Sequence, residues 1–210
     1  LKGLNNITGD TIAMNFIDNL IDRMTIKGGA IGLFLPDKSN QDINNNITYK
    51  AENIDYDLTT EIAYLMDAAE VIYGTTYLTG GEIETSLNDN IVISKSKEDI
   101  LPSVSTGNEE PTFGDYMTFD LTTERGNIIN GSNEIDIGIF KGEIFSTTPN
   151  NDVYIEKGIF TSCDLEVPHY YFGSKNMKIV EGKDQIIARP MILYIQDFPL
   201  GAQEIVQPEK

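Results

Sequence analysis

Two residue types occur once each in this chain, Cys163 and His169, and they stand six positions apart. A thiol and an imidazole in contact form a nucleophile pair, in which the ring takes the thiol proton and the thiolate attacks. Such a pair also needs a group that orients the ring, and the run T-S-C-D-L-E-V-P-H-Y (161–170) offers no obvious candidate. The plainer reading of His169 is a partly exposed residue that opens a strand beside Pro168. A lone cysteine cannot close an internal disulfide, so Cys163 is either free or paired with a cysteine outside this sequence.

The remaining chemistry-bearing side chains are mostly carboxylates. Asp and Glu number 33 against 15 Lys and Arg, a formal charge of −18. Asp55 and Asp57, like Glu82 and Glu84, are two apart, and Asp18 and Asp22 are four apart, all within apparent strands. The spacing of two puts carboxylates opposite the apolar residues, as on a solvated sheet face. The turn Asn88-Asp89-Asn90 has oxygen donors but not the ligand spacing of a dedicated calcium loop. There is no Gly-rich phosphate loop, no HExxH, no G-x-S-x-G and no paired CxxC. With no basic cluster, a nucleic-acid partner is excluded on electrostatic grounds. No apolar run reaches the roughly 18 residues of a spanning helix.

The elements that would position these groups read as strands. Helical periodicity has one candidate, Thr60 to Val71, and it is rejected because Ile62, Tyr64 and Met66 alternate and both flanks read as strand. Three strands close the chain: one at Gly158–Thr161, one at Tyr170–Val180, and one at Gln185–Ile195 after a turn at 181–184. Polar, breaker-rich segments near 36–46 and 94–111 read as surface loops within one domain that spans 1–210.

A repeat runs through the chain: an apolar residue, a small residue two positions on, and an apolar alternation starting three further on. It fits Ile7, Gly9, Ile12, Met14, Phe16, and again Tyr49, Ala51, Ile54, Tyr56, Leu58. Weaker copies lead to Ile83, to Met117, Phe119 and Leu121, to Ile144, and to Met177 and Ile179. Strand side chains alternate with period two, so an odd step turns one apolar residue outward unless a bend absorbs it. Small residues suit the inside of such a bend. The reading is an all-β solenoid of stacked, bent strands, and the inward set is Ile12, Met14, Phe16, Ile54, Tyr56, Leu58, Ile83, Met117, Phe119, Leu121, Ile144, Met177 and Ile179.

Residues 158–180 (G-I-F-T-S-C-D-L-E-V-P-H-Y-Y-F-G-S-K-N-M-K-I-V) and 186–199 (I-I-A-R-P-M-I-L-Y-I-Q-D-F-P) resemble the end of a known domain. It is the periplasmic N-terminal domain of the LptD family of lipopolysaccharide-assembly proteins, also called organic solvent tolerance or OstA-like proteins, in the form found in Bacteroidetes-like bacteria. The segments 9–16, 27–32, 51–60, 69–74 and 114–126 look like the OstA repeats of the same family. The resemblance implies a V-shaped β-jellyroll, or β-taco, of bent antiparallel strands at the periplasmic face of a Gram-negative outer membrane. It implies a lipopolysaccharide-binding transport module without catalysis or cofactor. The inward set would line an apolar groove for lipid A acyl chains, passing them toward an outer-membrane barrel. Partners would be lipopolysaccharide, neighbouring bridge jellyrolls joined by edge-strand pairing, and the C-terminal barrel, to which Cys163 would be disulfide-bonded. Because the chain opens on Leu1 in what looks like a strand entry, it is expected to be a segment of something longer.

Two other readings use the same residues. A structural or adhesive β-solenoid would have its interior packed shut and would bind protein or glycan on its acidic outside. An enzyme would use Cys163 as its nucleophile.

Overall fold

The computed structural model describes residues 3–37, 43–86, 88–165, 167–180 and 185–206. The turn expected at 181–184 and the middle of the 36–46 segment lie outside these residues. Every regular element among them is a strand. In chain order they are β1 (Gly3–Thr8), β2 (Thr11–Ile17), β3 (Leu20–Pro36), β4 (Ile47–Asp57), β5 (Ile62–Tyr73), β6 (Thr76–Ser86), β7 (Ile91–Lys95) and β8 (Ser103–Thr106). They continue with β9 (Thr112–Phe113), β10 (Tyr116–Asp120), β11 (Arg125–Ile135), β12 (Gly138–Thr147), β13 (Val153–Thr161), β14 (Tyr170–Val180), β15 (Gln185–Ile195) and β16 (Phe198–Val206). The protein is all-β, and the segment 60–71 is strand β5 as its alternation requires. The 94–111 segment is more than a loop, since it carries β8, which pairs with β6.

The chain forms two compact units, one of residues 1–109 and 116–123 and the other of 110–115 and 124–210. In the first unit the antiparallel order is β1-β3-β4-β5-β6-β7-β10, with β2 also on β3 and β8 on β6. Two cross-strand rows run through one arm of these strands. The first joins Ile12, Ile26, Ile54, Leu65, Ile83, Ser94 and Met117, and the second joins Met14, Met24, Tyr56, Ala63, Thr85, Val92 and Phe119. The other arm carries a row Ile7, Gly32, Tyr49, Val71, Leu78, Val104.

The two arms meet where the odd steps fall. Ala51 and Ile54 are both buried, as are Gly80 and Ile83, although three positions separate each pair. A continuous strand would send one member of each pair outward. The register slips at these points, between Lys27 and Ala30, Lys50 and Asn53, and Met66 and Ala69, as bulges that bend the strand. Gly28-Gly29 and Asp67-Ala68 adopt positive φ there. At Gly80 an added Cβ would fall 2.1 Å from Ser94 Oγ, so the inside of that bend has no room for even a methyl group.

The second unit, ordered β11-β12-β13-β14-β15-β16 with β9 on β11, repeats the device. Its buried row is Ile128, Phe145, Ile155, Met177, Ala188. Ile128 and Gly131, Ile155 and Gly158, and Ser174 and Met177 are all buried across odd steps, with Asn130 and Lys157 at positive φ within two of them. Here the sequence reading needs a correction. Ile144 pairs with Glu156, on the face away from this row, and its neighbour Phe145 (1% exposed) takes the inward place. The true copy is Phe140, Gly142, Phe145, which is the same pattern displaced by one residue.

The turn segment D-L-T-T-E occurs twice, at 57–61 and 120–124. In each copy the aspartate accepts backbone N–H bonds from the two threonines, Asp57 from Thr59 and Thr60, Asp120 from Thr122 and Thr123. Glu61 and Glu124 then turn through positive φ. The leucine between sends its N–H to the neighbouring chain segment, Leu58 to Asp22 O and Leu121 to Asn90 O. Identical residues thus form the same aspartate-capped turn twice.

Candidate functional site: an apolar pocket between two strand arms

The first unit contains a pocket lined from both arms of its bent strands. Met24, Ile54, Tyr56, Ala63, Leu65 and Thr85 come from one arm, and Asn5, Ile7, Phe34, Ile47, Tyr49 and Val71 from the other. Its cavity volume is about 40 Å³, a narrow space well below the roughly 300–1,000 Å³ of a typical small-molecule site. No lining residue carries a charge, so nothing there rewards an ionic ligand group for losing its water.

The placing of these side chains follows from the strand pattern. Ile54 and Tyr56 alternate inward on β4, and Leu65 and Ala63 oppose them on β5. On the second arm Tyr49 lies opposite Gly32, and its ring covers that glycine so closely that a Cβ there would fall 1.9 Å from Cζ. The Tyr49 hydroxyl donates to Asn5 Oδ1 at 2.6 Å. Burial pushes this hydroxyl above the ordinary tyrosine pKa, the Asn5 bond opposes the rise, and nearby Tyr56 adds to it. Tyr56 is raised as well, by burial first and by the Glu61 carboxylate second. Both phenols therefore stay neutral at physiological pH, presenting polar tips on an apolar wall.

Farther along the stack the interior is filled. Ile83, Val92, Met117 and Leu121 are buried, and the rings of Tyr73 and Phe119, from opposite arms, approach to 6.2 Å between centroids. In the other direction the rows run out onto β2, where Ile12, Met14 and Phe16 are 42%, 46% and 61% exposed. Among the described residues β2 pairs with β3 alone.

Of the inward set read from the sequence, the structure brings Ile54 and Tyr56 into the pocket, aligns Ile12, Met14, Ile83, Met117 and Phe119 with them in the same two rows, and buries Leu121. Leu58 lies half-buried just beyond the end of β4. Met177 and Ile179 share one face of β14 in the second unit, Met177 fully buried and Ile179 partly so. The sequence reading missed the second wall: Phe34, Ile47 and Val71 carry no repeat anchor, and only Tyr49 and Ile7, each two positions before a small residue, stood in the pattern. The signal available for the rest was plain alternation within β3, β4 and β5.

Of the carboxylates read as strand residues, Asp55, Asp57, Glu82 and Glu84 lie in strands, whereas Asp18 sits at positive φ in the turn between β2 and β3. Arg23 pairs with Asp55, Lys50 with Glu70 and Lys95 with Glu84, the cations more exposed than the carboxylates they cover. Lys97 and Asn53 both bond Asp67, holding its carboxyl below the ordinary aspartate pKa, Lys97 the more strongly. Among the described residues no cluster of three potential metal ligands is found.

Cys163 and His169 lie in the segment between β13 and β14, with Sγ 4.0 Å from Nδ1. The cysteine is free and partly buried, and its N–H donates to Thr161 Oγ1, which in turn donates to the Tyr170 carbonyl. The segment is thus tied to both strands it connects. The thiol–imidazole separation is at the outer limit for a sulfur hydrogen bond, longer than the contact a working nucleophile pair makes.

No protein-family model matches the chain, and no curated protein matches it.

Proposed function

We propose that this chain is a lipid-binding transport module of an outer-membrane lipopolysaccharide-assembly system, with the V-shaped jellyroll form of the OstA-like domains it resembles. The observation that carries the reading is the uncharged pocket lined from both strand arms, together with the two apolar rows that continue from it onto exposed β2. An acyl chain entering along those rows would trade water for Ile, Leu, Val and Phe side chains, at about 0.8 kcal/mol for each methylene buried. The chain's charge of −18 disfavours anionic headgroups, so the tails supply the affinity. In this reading the module works at the periplasmic face of the outer membrane, between bridge jellyrolls and a barrel, and Cys163 pairs with a cysteine of that barrel.

A photo-crosslinking residue at Tyr56 or Met24 tests it, with Asp55 on the opposite face as control. Lipopolysaccharide adducts are expected from the first two positions alone. Equal labelling at Asp55 overturns the reading, as does binding that weakens steeply with added salt.

A second reading has its own observation. The interior from Ile83 to Leu121 is filled by the protein's own side chains, as a structural or adhesive solenoid would have it. Failure of Tyr56 and Met24 to label with any amphiphile favours that alternative.

A further inference from the structure

Tyr49 occupies an unusual position for a pocket side chain. Its Cα is on β4, its ring covers Gly32 on β3, and its hydroxyl bonds Asn5 on β1. From β4 to β1 is two strand spacings, roughly 9.5 Å, so the ring must lie along the sheet and not stand up from it. It paves the wall of the second arm between Ile7, Phe34 and Val71. Only a glycine at 32 permits this, since an alanine Cβ there would come within 2.0 Å of Cε2 and 2.4 Å of the hydroxyl oxygen as well as meeting Cζ. With the sheet on one side and the pocket on the other, a displaced ring has one way to go.

Resting on the lipid-binding reading above, we infer that Tyr49 fixes how much of a single neutral, unbranched alkyl chain the pocket accepts, and that Gly32 serves to keep the ring flat. The occupant is an alkyl chain because the walls hold no charge and their polar atoms are few: Asn5 and Tyr49 are already bonded to each other. Raising the ring off the wall obstructs the pocket. Removing it exposes the β3 backbone at Gly32 and deepens the pocket.

The test titrates octyl, decyl and dodecyl glucoside, each below its micelle concentration, into the whole chain and into three variants, following binding by calorimetry. The uncharged head keeps the acidic surface out of the measurement. The native chain should bind with affinity that rises with chain length and then levels off. Gly32→Ala should weaken binding about tenfold, Tyr49→Ala should move the plateau to a longer chain, and Gly32→Ala/Tyr49→Ala should bind like Tyr49→Ala. That rescue separates obstruction by the ring from general damage to the fold, which far-ultraviolet spectra of each variant check directly. Native affinity in Gly32→Ala, or no rescue in the double variant, overturns the role of Tyr49 while leaving the alkyl pocket standing. Absence of saturable binding by the native chain overturns both.

Discussion

Gly80→Ala offers a sharp test of the bent-strand geometry. Gly80 is buried on the inside of a bend, and the Cβ added there would fall 2.1 Å from Ser94 Oγ, with its next neighbours, the Lys95 and Glu82 carbonyl oxygens, at 3.3 and 3.4 Å. The clash is therefore almost wholly with one hydroxyl. Ser94 is fully buried and donates that hydroxyl to the Thr79 carbonyl at 2.8 Å. To make room it must rotate away, stranding a donor and weakening an acceptor at a cost of about 1–3 kcal/mol. Replacing a glycine that has an ordinary φ returns about 0.4–1 kcal/mol through the unfolded chain. The net expectation is a loss of between about 0 and 2.6 kcal/mol. Ser94→Ala alone deletes one hydrogen bond, worth about 0.5–1.5 kcal/mol. In the Gly80→Ala background the same change removes the clash, so it should stabilise. The sign of Ser94→Ala must reverse between the two backgrounds, a coupling of about 1–2 kcal/mol. Urea unfolding followed by circular dichroism reads this as midpoint shifts at constant slope. Additive losses in the double variant would mean that Gly80 and Ser94 do not meet across the bend, and the stacking of the corners would be wrong.

Three further outcomes follow from the same geometry. Phe16→Ser, on exposed β2, should change stability by less than about 0.5 kcal/mol, whereas Ile26→Ala, in the adjoining strand and fully buried, should cost about 2–5 kcal/mol; chemical denaturation of both variants checks the contrast. For Asp120, burial pushes the carboxyl up, but the amides of Thr123 and Thr122 outweigh it, and the pKa is lowered. Its stabilising contribution is thus complete above the ordinary aspartate value of about 3.9 and is lost as pH falls through the lowered one. Asp120→Ala should therefore destabilise at pH 7 and lose most of that effect in strong acid, as denaturation midpoints across the range would reveal. Cys163→Ser should leave the melting temperature and alkyl glucoside binding unchanged, since the thiol belongs to the second unit and every pocket residue to the first; a large loss of binding would point to a direct role for the thiol.

How much of this was legible beforehand can be judged from the anchors. Ile54, Ile83 and Met117 are spaced 29 and 34 residues apart, yet they fall in a single cross-strand row. The unequal spacing defeats a search for a fixed period, but the local signature of a small residue three before an apolar one survives it, because the bend enforces that signature in each strand separately. The same signature failed by one position at Ile144. There Ile139 and Ile144 are as apolar as Phe140 and Phe145, both faces of the strand look alike, and only the glycine at 142 marks the phase. Anchoring the copy on Ile144 leaves Lys141 where the small residue belongs and puts the row on the wrong side. The closing strands Tyr170–Val180 and Gln185–Ile195 agree with their sequence bounds because turn-forming residues bracket them.

What alternation could not supply was the height of the side chains above the sheet. Periodicity assigns Tyr49 and Tyr56 the same kind of inward place, two phenols on one strand. Their difference arises on β3, where Tyr49 meets a glycine and lies down while Tyr56 faces Met24 across the strand pair. Whether a stacked β interior is open or shut is decided by such pairs. Where the opposed positions are filled, as with Ile83, Val92 and Met117, the arms close on a packed core. Where a large ring is allowed to fold flat over a missing side chain, space remains above it. In this chain that happens beside β1, next to the end of the stack where Ile12, Met14 and Phe16 are exposed, so the open part of the interior and the apolar surface leading to it belong to the same few strands.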